Sequence, residues 1–166
     1  MKKSTIAGTG LSTGVLLMAL SLAGPPTHAA MMSPFRAMAG SWSGGGTISM
    51  ANGEQERLRC RASYDVDGSG VELRLSLRCA SPSYNFDLAS DAQYSGGAIS
   101  GQWTEASRNA SGTLAGRAAG DRIEVAANGQ NFAANLSLTT RGNRQTVSIQ
   151  PQGTDIRAVS LALERR

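Results

Sequence analysis

Residues 57–79 read RLRCRASYDVDGSGVELRLSLRC, which is two alternating runs on either side of a glycine-rich turn. In the first run apolar or small side chains alternate with Arg57, Arg59 and Arg61, and in the second run leucines alternate with charged and hydroxyl-bearing side chains. A period of two residues gives each run one dry face and one wet face, as in a half-buried β-strand. The stretch therefore predicts an antiparallel hairpin that turns at 68–71.

Both cysteines of the chain, Cys60 and Cys79, fall on the dry face of this hairpin. An even number of cysteines in an exported chain is typical of a disulfide, and a register that sets Cys60 opposite Cys79 would allow one. The same register sets Arg61 against Arg78, which is unfavourable because like charges then face each other across the strands. A register shifted by two residues is the alternative.

The alternation continues from residue 41 to the end of the sequence, in short segments divided by turns such as Asn52-Gly53 and Gly96-Gly97. The predicted strands lie near 41–50, 55–66, 71–80, 84–95, 98–107, 110–118, 121–128, 131–140, 144–150 and 156–164. Glycine and asparagine supply the positive φ angles of tight hairpins, and a spacing of roughly 10 to 14 residues per strand and turn is typical of a meander. The sequence predicts an all-β fold, a single antiparallel up-and-down barrel of about 8–10 strands.

A short helix is predicted within residues 31–39, because Ser33-Pro34 suits a helix cap and first turn. The later strands, 110–116 among them, carry glycine and alanine where a core usually has branched residues. Strand glycines can let a barrel bend at its corners, and small inward side chains can leave room for a ligand. We favour bending and keep the second interpretation open.

Residues 1–30 have the pattern of a secretory signal peptide, with two lysines at the start, an apolar stretch over 11–23 and small residues at 27–30. The apolar stretch is shorter than the roughly 20 residues that a membrane span requires. We therefore predict a signal peptide over 1–30 and one β-barrel domain over 31–166, periplasmic or secreted and not membrane-spanning after cleavage. The eight aromatic residues, 5% of the sequence, are too few for the aromatic girdles of outer-membrane barrels, which favours a soluble barrel.

Cleavage would remove both lysines and the single histidine, His28, and would lower the formal charge from +4 to about +2. A nearly balanced charge and few aromatics predict no nucleic-acid partner, because both phosphate contacts and stacking surfaces are scarce. Histidine is the commonest general base, and two cysteines joined to each other leave no thiolate to bind a metal. The sequence thus predicts a protein that is not an enzyme and has no metal or cofactor.

The first predicted strand opens with Gly40-Ser41-Trp42, and Gly44 and Gly46 follow. This opening resembles the Gly-x-Trp of lipocalins and the Gly-x-Trp-x-Gly-x-Gly of nitrobindins, both calycin-like barrels. The resemblance implies a small barrel whose floor is closed by the indole of Trp42. Nitrobindins hold haem through a histidine, which residues 31–166 lack, so only the three tyrosines remain as candidates to ligate iron.

Two hypotheses for function follow. The first is a non-enzymatic barrel that binds a small, largely apolar ligand between its strands. Its candidate lining residues are the aromatic side chains Trp42, Tyr64, Phe86, Tyr94, Trp103 and Phe132. Glu105 shares a strand face with Trp103, and we expect it to be a carboxylate at the rim that pairs with an arginine. An inward orientation, which would require a cationic partner or a bound polar group, is the alternative.

The second hypothesis is a protein-binding envelope domain. A Gly-x-Trp strand followed by an early disulfide is similar to the bacterial alkaline-protease inhibitors. That resemblance implies a flexible N-terminal segment, here Met31 to Phe35, that enters a protease cleft. The arginines at 57, 59, 61, 74 and 78 would offer such a partner a basic face.

Overall fold

The computed structural model describes residues 32–166, and the predicted signal peptide lies outside them. The described chain forms one closed antiparallel barrel of ten strands, in which each strand pairs with its neighbours in sequence and the first pairs with the last. The elements are α1 (Phe35–Met38), β1 (Gly40–Met50), β2 (Gln55–Val66), β3 (Glu72–Ala80), β4 (Asn85–Ser95), β5 (Ala98–Glu105), a 3₁₀ turn (Ala106–Arg108), β6 (Ala110–Ala119), β7 (Arg122–Gly129), β8 (Ala133–Arg141), β9 (Arg144–Gln152) and β10 (Ile156–Arg165). The predicted all-β up-and-down barrel with a short helix is confirmed. No helix among these residues is long and apolar enough to cross a membrane.

The hairpin of β2 and β3 has the predicted register. Cys60 lies opposite Cys79, and a disulfide joins them. Arg61 faces Arg78 as expected, and Arg78 also contacts Asp87 on β4 at 3.3 Å, which supplies an opposite charge on its other side. The register shifted by two residues is wrong. A disulfide of this kind indicates a location outside the cytoplasm.

The turn between β2 and β3 is organised by the carboxylate of Asp67. It accepts hydrogen bonds from the backbone N–H of Ser69 at 3.0 Å and of Glu72 at 2.8 Å, and from the hydroxyl of Ser69. The Ser69 hydroxyl and then the Glu72 N–H favour the ionised form most, and the pKa of Asp67 is lowered to about 2.

This lowered pKa predicts a pH dependence of stability. The folded-state pKa of Asp67 lies below the unfolded value of about 3.9, so ionisation favours folding. The contribution is complete above the unfolded pKa and is lost as the pH falls through about 2. We expect Asp67→Asn to reduce the loss of stability between pH 5 and pH 2, measured by urea unfolding at stepped pH. Asp65→Asn in the same hairpin is the control, and an unchanged pH profile in Asp67→Asn would contradict the assignment.

Five inward-facing strand glycines lie where a neighbouring strand leaves no room for a side chain: Gly44, Gly46, Gly101, Gly112 and Gly116. A Cβ added at Gly112 would lie 1.9 Å from the carbonyl oxygen of Asn128, and one at Gly116 would lie 2.0 Å from that of Glu124. The adjacent backbone therefore occupies the space of the missing side chain, as expected where a barrel bends sharply. These contacts support the bending interpretation at these positions.

One end of the barrel is closed by α1, and we call this end the floor: Phe35 and Met38 of α1, Trp42 of β1 and Arg165 of β10. The indole of Trp42 is 1% exposed and donates a hydrogen bond from Nε1 to the Met38 carbonyl at 2.7 Å. The Arg165 guanidinium lies 4.4 Å from the centre of the same indole and donates to the carbonyls of Ala37 and Ala39. Helix and indole are therefore fixed to each other and to the last strand.

The helix begins at Phe35, with Pro34 as its N-cap residue. Ser33, predicted to cap it, lies one residue earlier and accepts a hydrogen bond from the N–H of Phe35 at 3.2 Å. Burial of Phe35 and Met38 fixes this four-residue helix, since so short a helix has little stability of its own.

Candidate ligand-binding interior

The end opposite the floor, which we call the mouth, carries the turns at 51–54, 81–84, 106–109, 130–132 and 153–155. Strands that run the length of the barrel place alternate side chains inside, so the residues between floor and mouth form its lining. Cross-strand pairs identify them, because residues opposite each other in register lie on the same face. Leu77 pairs with Ala62 and Leu88, for example, and Leu136 pairs with Val125 and Ile149.

Nine apolar side chains of the lining are only half-buried, and we call them the inner wall: Leu75, Leu77, Leu88, Leu114, Val125, Leu136, Leu138, Val147 and Ile149. In a closed barrel an inward side chain can be accessible only from within. Their accessible surface therefore borders unfilled space in the interior. The inward side chains on the opposite side, such as Ile48, Leu58 and Leu161, are buried.

Aromatic side chains collect at the mouth. Tyr84 and Phe86 stack with ring centres 6.3 Å apart, and Trp103 and Phe132 meet edge-on at 5.5 Å. The Arg108 guanidinium lies 4.7 Å from the centre of the Phe86 ring, in cation–π geometry. The mouth thus presents apolar rings with one cation above them.

Glu105 is 8% exposed at this end and its carboxylate is fully engaged. It accepts hydrogen bonds from the N–H groups of Asp87 at 2.9 Å, Ser107 at 3.2 Å and Arg108 at 2.8 Å, and it forms an ion pair with Arg108 at 3.5 Å. Burial acts to raise the pKa of Glu105, but these hydrogen bonds outweigh it and the pKa is lowered. The predicted pairing with an arginine is confirmed, and the carboxylate caps the 3₁₀ turn.

A buried polar network lies near the floor. The Tyr64 hydroxyl donates to Gln145 Oε1 at 2.7 Å, and Gln145 Nε2 donates to Thr140 Oγ1 at 3.1 Å. Burial raises the pKa of Tyr64, and the hydrogen bond to Gln145 offsets this only in part. Sequence reasoning missed Gln145 and Thr140, although Gln145 occupies an inward position of β9 in line with Val147 and Ile149, a detectable break in the apolar pattern.

Removing the amide at the centre of this network is expected to destabilise the fold. Gln145→Leu leaves the buried Tyr64 hydroxyl without its acceptor, and we expect the free energy of unfolding to fall by about 2 kcal/mol. The double variant Tyr64→Phe/Gln145→Leu removes both partners and should lose less than the sum of the two single variants. Urea unfolding of the four proteins measures the coupling, and strict additivity would contradict it.

The six predicted lining residues fall into two groups. Trp42, Tyr64 and Tyr94 lie at the floor, where Tyr94 contacts Phe35 edge-on at 6.2 Å. Phe86, Trp103 and Phe132 lie at the mouth, and the structure brings Trp103 and Phe132 into contact. The inner wall between the two groups is aliphatic, and no short motif in the sequence marks it.

The residues present do not fit the haem that the nitrobindin resemblance implies. Residues 32–166 contain no histidine, and the Tyr64 phenol is bonded to Gln145 with a raised pKa, so it is poorly suited to bind iron as a phenolate. Tyr84 contacts the sulfur of Met50 at 3.6 Å. Over the described range, no three His, Cys, Asp or Glu side chains lie close enough together to hold a metal ion.

Two clefts are present, one at the floor and one on the outside of the barrel. The first, of about 450 Å³, lies between the segment before α1 and the floor ends of β6–β8, and its lining includes the inward-facing side chains of Tyr94 and Ile123. The other, of about 430 Å³, is a polar groove on the outer face of β6–β9, lined in part by Arg117, Arg122 and Glu124. Arg122 and Glu124 form an ion pair at 2.7 Å, so their charges largely offset each other.

The comparisons with known proteins define the fold. No protein-family model and no curated protein matches the sequence. The structure is similar to the crystal structure of Rv2717c from M. tuberculosis, with 14% identity, a TM-score of 0.63, and coverage of 78% of this chain and 93% of that chain. It is also similar to the S-type phycobiliprotein lyase CPES from Guillardia theta, with 13% identity, a TM-score of 0.53, and coverage of 80% and 89%. The ten-stranded closed barrel and these neighbours together show a calycin-like fold.

Proposed function

We propose that this protein is an exported, non-enzymatic β-barrel that binds a small, largely apolar ligand in its interior, reached through the mouth. The observation that carries the proposal is the inner wall, a set of inward aliphatic side chains that retain accessible surface. Apolar surface of this kind gains from contact with an apolar molecule, at about 25 cal/mol for each Å² removed from water.

The composition of the interior supports the apolar class of ligand. The polar groups near the floor bond to each other, and the Glu105 carboxylate is engaged by backbone N–H groups. A strongly polar ligand would lose its hydration without finding matched partners, which is unfavourable. The disulfide between Cys60 and Cys79 and the signal-like residues 1–30 support export to the periplasm or beyond.

The neighbours and the opening motif add to this proposal. One neighbour is a phycobiliprotein lyase by name, so a barrel of this fold occurs in a protein that acts on pigment-bearing proteins. The Gly40-Ser41-Trp42 opening, with its indole buried against α1, agrees with a lipocalin-type or nitrobindin-type barrel. The name of this neighbour is no argument for catalysis in this protein, because Glu105, the one buried carboxylate that we describe, caps a turn.

A pair of adjacent substitutions tests the proposal. Leu114 faces inward on β6 and Thr113 faces outward, so Leu114→Trp fills the interior and Thr113→Trp does not. We expect N-phenyl-1-naphthylamine, a neutral apolar fluorophore, to bind the wild type and Thr113→Trp alike, and Leu114→Trp at least about tenfold more weakly. Circular dichroism establishes that both variants are folded. Equal binding by both variants, or none by the wild type, would contradict the proposal.

The alternative, a protein-binding envelope domain, has less support. Phe35, which the protease-inhibitor resemblance places in a flexible arm, is 2% exposed and packs in the floor. Of the predicted basic face, Arg74 and Arg78 are paired with Asp91 and Asp87.

A further inference from the structure

We propose that the interior selects neutral apolar ligands that carry a hydrogen-bond acceptor, such as a ketone or ester carbonyl, and that the indole N–H of Trp103 is the donor that recognises it. This inference rests on the proposed function and names the ligand class. It starts from Trp103 Nε1, which among residues 32–166 is the one buried side-chain nitrogen or oxygen without a hydrogen-bond partner.

An orphaned donor of this kind is unusual, because buried polar groups in folded proteins nearly always have a partner. The side chain of Trp103 is 5% exposed, so bulk water does not serve it. Its cross-strand neighbours are Ser90 and Gly112. The Ser90 hydroxyl donates to the Gln102 carbonyl at 2.9 Å and accepts no bond from the indole, and glycine has no side chain to offer. The protein thus leaves the indole N–H unsatisfied.

Trp103 also lies next to the inner wall. Its diagonal neighbours across the strands include Leu88 on β4 and Leu114 on β6, both half-buried and inward-facing. An apolar ligand in contact with these leucines would therefore lie within reach of the indole. An acceptor atom on that ligand would regain the hydrogen bond that the folded chain lacks.

Nε1 is enclosed, so access to it requires a neighbouring side chain to move. Phe132 is the neighbour placed to do so. It packs edge-on against the indole, is half-buried, and sits on the short connection between β7 and β8 at the mouth. The other neighbours of the Trp103 indole belong to strands. One is Gly129 at the end of β7, where an added Cβ would lie 3.0 Å from the indole.

The charge of the ligand is limited by the same surroundings. The mouth arginine, Arg108, is already paired with Glu105 and lies over Phe86. A carboxylate inside the barrel would depend on one neutral donor, which does not offset the loss of its hydration. A neutral carbonyl needs only the single bond that Trp103 offers.

The test compares two ligands of equal size, 2-undecanone and dodecane, in competition with N-phenyl-1-naphthylamine. The ratio of their affinities isolates the carbonyl, since the two chains bury nearly the same apolar surface. We expect Trp103→Phe to lower the affinity for the ketone by about tenfold relative to dodecane, while dodecane itself still binds. Thr113→Trp, on the outer face, is the control and should keep the wild-type ratio.

A spectroscopic measurement covers the case in which Trp103→Phe fails to fold. Trp42→Phe leaves Trp103 as the single tryptophan, because the chain has two. The Raman band that reports hydrogen bonding of the indole N–H should shift when 2-undecanone is added and stay unchanged with dodecane. An equal ratio in wild type and Trp103→Phe, or no shift with the ketone, would overturn the inference while leaving apolar binding intact. Failure of both ligands to bind the wild type would instead refute the proposed function.

Discussion

Trp42→Ala is expected to lower the free energy of unfolding by about 3–5 kcal/mol, the usual loss when a large buried aromatic side chain is truncated. The indole is 1% exposed and joins three parts of the floor at once. It packs in the core, donates to the Met38 carbonyl of α1 at 2.7 Å, and lies under the Arg165 guanidinium of β10. Urea unfolding at neutral pH measures the loss.

Trp42→Phe separates these contributions. It keeps a ring in the core and under Arg165 but removes the N–H that binds Met38. We expect it to lose about 1–2 kcal/mol, clearly less than Trp42→Ala. Equal losses in the two variants would show that packing contributes little and that the hydrogen bond to α1 dominates.

Removal of the disulfide is expected to have the second large effect. Cys60 and Cys79 are 19 residues apart, and a bridge closing a loop of that length stabilises a fold by about 3 kcal/mol, chiefly through the unfolded chain. Cys60→Ala/Cys79→Ala should therefore unfold at lower urea concentration. The bridge joins β2 to β3, and these strands also pair along their length through backbone hydrogen bonds. We therefore expect the barrel still to form without it.

The wild type treated with a reductant is the matched control, since it keeps the wild-type sequence but lacks the bridge. It should lose nearly as much stability as the double variant. Naphthylamine binding should persist in both proteins, because the inner wall lies mainly on other strands. A loss below about 1 kcal/mol in the double variant would mean that the unfolded chain is little constrained by the bridge.

Local pattern predicted most of the fold. The alternation in 57–79 predicted the hairpin, and the pairing of the two cysteines favoured the observed register over one shifted by two residues, because the cysteines lie opposite each other only in the former. Turn residues placed all ten strands to within a few residues of their observed bounds. In each of these cases the signal lies within a stretch of about two strands, where sequence spacing translates directly into geometry.

The candidate site was less predictable because its contacts join distant parts of the chain. Tyr64 and Gln145 are 81 residues apart, and Arg165 donates to the carbonyls of Ala37 and Ala39, which lie more than a hundred residues away. Trp103 Nε1 has no partner because none of its neighbours places a hydrogen-bond acceptor within reach, and no pattern of residues in the sequence predicts this. The lining residues predicted from the sequence are all aromatic, whereas the accessible lining of the interior is aliphatic.

The pairing of β1 with β10 has a consequence for how the chain reaches this structure. The other nine pairings join consecutive strands and can form from short loops, but this one brings Trp42 opposite Arg165. Closing so long a loop is entropically costly and slow compared with forming hairpins. Until it closes, the partly folded sheet has two free edges able to pair with other chains, so the rate of this final step should govern the tendency to aggregate during folding.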